Sequence, residues 1–374
     1  MSKSIDQTMI KHIDKTSKSY FTDKLCGYLM GLPIFFELSS SGIKLPTSHF
    51  FMEGIPLHTS MLALLLLIPS YSIKREHLIF VLVFLSYITM SAFQDFSRSI
   101  LAVQSMYFFA FFYLLSSISN ERVKTIASST CIAFFVFIIA HLISIIVNLD
   151  GSILNLVLNS SNFWGQIIYQ SHLTYPLVMI FVLMMVESLP LKKSFKYKYI
   201  LLGSVILLEI ILLRRTSFAL LLGFLFLYRP KIFYSGILLF LIIFVLYLGI
   251  VPDFGDRLNF TRANAWIDSI NIITKDLFYL LIGNGLNNYS HNYFMHTVST
   301  HGIIYGLVIF SILFSIIFNF LKRINFSISP SLMIGLFIFI DWNVNANLYQ
   351  PYYAGIFALT LILLSINSKK KLID

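Results

Sequence analysis

The sequence predicts an all-α, polytopic integral membrane protein of about 12 transmembrane helices with one large external loop. Three observations carry that class. Of the 374 residues, 57% are hydrophobic and only 12% charged, with a mean hydropathy of +0.81, far outside soluble composition. Twelve apolar runs meet, or nearly meet, the length of about 20 residues that a helix needs to cross a hydrocarbon core. The Lys and Arg residues fall in short clusters between alternate runs, the pattern left when positive charge is retained on the cytoplasmic face. A formal charge of +10 would point to nucleic acid in a soluble domain. Distributed between apolar runs it is a topological signal, and nucleic acid is excluded as a partner.

Taken in order, Met1 to Lys24 is polar and lysine-rich with no small-residue cleavage site, so it reads as the leader of a retained signal anchor. The spans then lie near 25–39, 56–73, 78–94, 99–117, 124–148, 170–188, 199–213, 216–228, 232–250, 298–320, 327–342 and 351–367. The first, seventh, eighth and eleventh are short. An even number of spans puts both termini on one side, and placing that side in the cytoplasm leaves seven of the 27 Lys and Arg outside: Lys44, Arg98, Arg214, Arg215, Arg257, Arg262 and Lys275. Each of these runs against the topological bias and needs a reason of its own. Outside also lie a loop at 40–55, a loop at 149–169 and the large loop at 251–297. With no internal repeat, the chain reads as a single membrane domain over 1–374. Cys26 and Cys131 sit in apolar runs and read as buried single thiols.

Chemistry concentrates on the outer face. Arg214 and Arg215 stand between short apolar runs, where a charge in mid-bilayer would cost about 2.5–3.5 kcal/mol. They read either as snorkelling arginines in a tight turn or as a phosphate clamp, since guanidinium pairs bidentately with phosphate oxygens. In the large loop, Trp266, Ile270 and Ile273 recur at i, i+4 and i+7, an amphipathic helix suited to the outer interface. Arg262 lies one turn before Trp266. Arg257 and Arg262 could instead be solvated charges paired with Asp253, Asp256 or Asp268.

His291, His296 and His301 recur every five residues, which turns a helix by about 140°, so they share no face and suggest no metal site. His291 differs from the other two. It follows the Gly283-Asn284-Gly285 turn and sits beside Ser290, a natural N-cap for the tenth span, where a helix N-terminus favours a neutral imidazole able to take a proton. Asn292 follows it directly. Asp341, Trp342 and the asparagines after them form a polar patch at the outer end of the eleventh span, suited either to sugar hydroxyls or to a wet loop. Arg98 is the natural ion-pair partner of Asp95.

Two segments together resemble a known family. The Arg215-Thr216-Ser217 run into Leu220 and Leu221 resembles the short arginine signature of the O-antigen polymerase and ligase superfamily. The order Arg262, Trp266, Gly283-Asn284-Gly285, His291-Asn292, Gly302 resembles that superfamily's large periplasmic loop. The likeness covers roughly residues 205–310, and Arg214 departs from it by standing where a small polar residue is usual. What the resemblance implies is transfer of a glycan from undecaprenyl diphosphate to a sugar hydroxyl at the periplasmic face of the bacterial inner membrane, without metal or other cofactor. It implies His291 as base, with Arg215 and Arg262 meeting the diphosphate. Arg214, Arg257, Arg98, Trp266, Asn292 and Asp341 would line the substrate. Expected partners are the lipid-linked oligosaccharide, membrane lipids and a chain-length regulator protein. A polymerase extends another lipid-linked repeat unit, whereas a ligase delivers to the lipid A core. A flippase, the competing class, should show charges within spans of both halves and a two-fold internal repeat, which this sequence lacks.

Overall fold

A computed structural model describes residues 20–32, 35–39, 42–44, 55–70, 81–82, 84–85, 87–89, 103–147, 171–189, 195–212, 215–236, 242, 261–283, 292–342, 348 and 351–370. The chain divides into two compact units, residues 1–85, 106–213 and 349–374 forming one and residues 86–105 and 214–348 the other.

Among the described residues both units are predominantly helical, and helices overlap most of the expected spans; most of the third and ninth spans lies outside the described residues. In the first unit a helix over residues 20–31 (α1) is followed by three strands, Phe35–Ser39 (β1), Gly42–Lys44 (β2) and Ile55–His58 (β3). The strands pair antiparallel in the order β2-β1-β3, with Glu37 opposite Lys44 and Phe35 opposite His58. The first span is therefore helical only as far as Gly31, and its expected second half is strand. Pro33 is the reason in the sequence, since a proline disfavours helix at the residue before it and cannot donate within one.

The helices that follow in this unit are Thr59–Leu67 (α2), Tyr107–Ser117 (α3), Asn120–Val147 (α4), Ser171–Ser188 (α5), Phe195–Leu212 (α6) and, from the C-terminus, Pro351–Lys370. His58 caps α2, its Nδ1 accepting from the Ser60 amide at 2.9 Å. The core is aromatic: Phe108, Phe181, Tyr353 and Phe357 are all buried, with ring centroids 5.1–5.3 Å apart at the Phe181–Phe357 and Phe108–Phe357 contacts.

Glycine lets α1 approach α4 closely. A Cβ on Gly27 would stand 2.6 Å from Ser129 Cβ, and one on Gly31 2.8 Å from Ala133 Cβ. This is the small-xxx-small seam by which apolar helices bring their backbones together. Thr130 donates across it to the Gly27 carbonyl at 3.1 Å, and Arg122 grips Asp23 with bonds of 2.7–3.0 Å. The paired positions rise together along both helices, so α1 and α4 run parallel. The C-terminal helix likewise runs parallel to α5, Tyr353 meeting Phe181 and Asn367 donating to the Ser188 carbonyl. Cys26 and Cys131 are free and buried, as the apolar setting predicts.

The second unit contains Arg215–Tyr228 (α7), Thr261–Lys275 (α8), Leu277–Ile282 (α9), Tyr293–Arg323 (α10) and Ile328–Leu336 (α11), which continues as a π-helical turn, Phe337–Asp341. The helix Pro351–Lys370 is α12 in chain order. Among the described residues, two helical stretches, Asn120–Ile143 and Tyr293–Arg323, are long and apolar enough to cross a membrane. The second is broken at Gly302 (φ 82°, ψ 166°), and the 21 residues beyond the break are still about 31 Å of helix.

Candidate functional site

The N-terminal end of α10 falls within the segment expected as the large loop, part of which is described. Asn292 caps it, in extended conformation, with Oδ1 accepting from the Met295 amide at 2.9 Å. The cap is thus Asn292 and not Ser290, and α10 begins at Tyr293 rather than 298. An amide side chain two residues nearer the helix takes the role, and His291 becomes the residue just before the cap. Asn292 is buried, so its bond to the helix is shielded from water.

The eleventh-span patch is brought to this end. Trp342 is fully buried, its ring 5.7 Å from Tyr293 and 6.2 Å from Phe294 by centroids. Asp341, the residue before it, closes the π-helical turn and has no exposure to solvent. The reading of this stretch as a wet loop fails at Asp341 and Trp342, because aromatic packing against α10 takes them out of water. Asn343 to Asn347 lie outside the described residues.

Helix α7 reaches the same level. Ser329 donates to the Leu227 carbonyl at 3.2 Å, and a Cβ on Gly223 would meet Leu336 Cδ1, so α7 and α11 run antiparallel. Counting back from Leu227 to Arg215 and forward from Ser329 to Asp341 covers the same number of residues, about 18 Å of rise each. The first turn of α7, which Arg215 opens, stands level with Asp341.

Arg262 is the second residue of α8, a helix that packs along α9 and α10. Trp266 is half-buried, with an indole N–H that finds no hydrogen-bond partner among the described residues, and Ser269 and Ile273 are buried with it. The packed face is thus 266, 269 and 273. Ile270, which the sequence spacing groups with Trp266 and Ile273, is 43% exposed. It lies outward beside Ile267, which is also exposed. Arg98, Arg214, Arg257 and His291 lie outside the described residues, as do the side chains of Arg215 and Arg262.

Two features have no counterpart in the sequence reading. The first is a backbone crossing: Gly283, which ends α9 with φ 83°, lies against the chain at Thr300–Gly302, where a Cβ on it would come 2.5 Å from the Gly302 amide nitrogen and 2.6 Å from that of His301. Both glycines occupy a region that L-residues adopt only under strain. The second is a buried polar cluster. Tyr87 Oη lies 2.7 Å from His301 Nδ1, and its ring stacks on Tyr305 at 3.6 Å. Tyr305 Oη is 3.4 Å from Ser105 Oγ. His296 and His301 are both buried, and His301 is a hydrogen-bonded interior residue. Only the glycines had a local signal, as turn and motif positions.

No family model, no curated protein and no solved structure matches this chain.

Proposed function

We propose that the chain is an O-antigen polymerase of the inner membrane, joining undecaprenyl-diphosphate-linked repeat units at the periplasmic face by transfer of the growing glycan to a sugar hydroxyl. The observation that carries this reading is where the singled-out residues fall on the helices. Arg215 is the first residue of α7, Arg262 the second of α8, and His291 immediately precedes the cap of α10. A helix N-terminus disfavours a cation and favours an anion, by about 0.3–1 kcal/mol at an exposed site. Arginines held at two such ends, against the topological bias, fit a ligand that is itself anionic, and a diphosphate has the charge to offset both.

The chemistry follows from those positions. Guanidiniums and helix ends meet the charge that develops on the departing diphosphate. An imidazole at 291 takes the proton of the attacking hydroxyl as the glycosidic bond forms, and general-base catalysis of this kind supplies about 10²- to 10⁴-fold. A neutral ring is favoured there for the same electrostatic reason that an anion is.

Twelve spans of alternating direction agree with the packing within each unit. Parallel α1 and α4 correspond to the first and fifth spans, parallel α5 and α12 to the sixth and twelfth, and antiparallel α7 and α11 to the eighth and eleventh. The Arg122–Asp23 pair also joins two segments assigned to the cytoplasmic side.

Ligase is the second reading, since it shares donor, site and chemistry and differs in acceptor. The test is the lipopolysaccharide pattern after deletion of the gene. Loss of polymer with single-repeat lipopolysaccharide kept is the polymerase result. Complete loss of O-units with polymer held on the carrier is the ligase result, and an unchanged pattern refutes both.

A further inference from the structure

The first nine residues of α10, Tyr293 to His301, form an element separate from the long helix that follows. Gly302 breaks the helix between them. Nine residues are too few to hold helical structure or direction alone, so the orientation of this segment comes from what it touches. Among the described residues its contacts include the Gly283 backbone against Thr300–Gly302, Tyr87 against His301 at 2.7 Å, Trp342 against Tyr293 and Phe294, and the long helix itself, on which the segment folds back so that Phe294 meets Phe310 and Phe314. The first two act at its C-terminal end and the third at the end that Asn292 caps.

We propose that Gly283 and Gly302 form a backbone clasp that positions the short helix, and through it the Asn292 end, for the transfer step, and that Tyr87 is the clasp's side-chain latch. The inference rests on the transferase reading above and deepens it. Any side chain at Gly302 would collide with the Leu281 carbonyl, and any at Gly283 with the backbone of Thr300–Gly302, so neither strand of the crossing can yield by changing a rotamer. The crossing must open instead, and the segment pivots about Gly302. A displacement on the order of 1 Å in a catalytic group costs about 100-fold in rate. Donor binding is left in place because its arginines are on α7 and α8, outside the pivoting segment.

The experiment compares Gly283→Ala, Gly302→Ala and Tyr87→Phe with Gly335→Ala, whose added methyl meets nothing within 4 Å. Each purified full-length variant is assayed with undecaprenyl-diphosphate-linked repeat units for kcat and donor KM, and by hydrogen exchange. The expected result for the two glycine variants is a kcat lower by about 100-fold with donor KM unchanged. Exchange should accelerate over 293–301 and stay parental over 303–323. Tyr87→Phe, which removes only a hydroxyl, should show the same split to a smaller degree, and Gly335→Ala neither effect. A parental kcat in the glycine variants overturns the clasp. So does loss of protection along the whole of 293–323, which would make the glycines merely structural. Absence of transfer by the parental protein would count against the transferase reading, and the exchange pattern would still decide the clasp.

Discussion

Alanine at Gly27 should destabilise the first unit by an amount that follows from the seam between α1 and α4. The added Cβ would lie 2.6 Å from Ser129 Cβ and 3.1 Å from the Thr130 amide nitrogen. Carbon atoms rest at about 3.5–4.0 Å, so the overlap is about 1 Å and the helices must separate or bend by that much. Ser129 cannot rotate its Cβ away, and the backbone of α4 is fixed by its own hydrogen bonds. Separation also stretches the Thr130–Gly27 bond and the Arg122–Asp23 pair that close the seam on either side. Overpacking of this kind costs about 1–3 kcal/mol. The assay is thermal unfolding in nanodiscs followed with a thiol-reactive dye, because the chain's two cysteines, Cys26 and Cys131, are both buried in this unit. Gly27→Ala should label at a lower temperature than the parent. Gly203→Ala, in the interior of α6 with nothing within 4 Å of the new methyl, should label no earlier, since alanine is the better helix former by about 1 kcal/mol. Equal labelling temperatures for Gly27→Ala and Gly203→Ala would refute the close-approach argument.

Reporter fusions should be active in the cytoplasm at residue 194 and in the periplasm within 251–297, and external activity at 194 would overturn the assigned orientation. Arg215→Ala and Arg262→Ala should abolish polymer while the protein still inserts, with Arg215→Lys restoring it only in part because an ammonium lacks the bidentate fork. Full polymer in the alanine variants removes the clamp. His291→Ala should lose transfer and keep donor binding, and the parental rate should fall below about pH 6, where an ordinary imidazole gains a proton and ceases to be a base. A His291→Ala protein that extends chains at the parental rate ends that role. Asn292→Ala should lower thermal stability by about 1 kcal/mol through loss of the cap, and no measurable shift would show that the bond to the Met295 amide contributes little.

Composition and hydrophobic period account for one set of this protein's properties. Apolar runs of sufficient length must bury their backbone polar groups internally, so they become helices wherever no proline intervenes. That is why α2 to α7 and α10 to α12 overlap nine of the expected spans, the second of which opens in strand β3 before its helix begins at Thr59. The exception, at Pro33, was also written in the chain, but its outcome as strand depended on β2 and β3 being there to pair with. The glycine turn at 283 and the charge-bearing starts of α7 and α8 were legible for the same local reasons.

The tertiary structure decided everything that rests on contact between distant segments. Ser290 and Asn292 are both competent caps, and the choice of Asn292 accompanies the packing of Tyr293 on Trp342, some fifty residues away. Nothing local distinguishes Ile270 from Ser269 as the inward residue of α8. The packing of α8 against α9 and α10 makes that choice. Gly27 and Gly31 are ordinary helix residues by periodicity, and become a seam only where α4 presents Ser129 and Ala133. Tyr87 and His301 stand 214 positions apart in the chain, and their hydrogen bond exists because helix packing closes that distance in space.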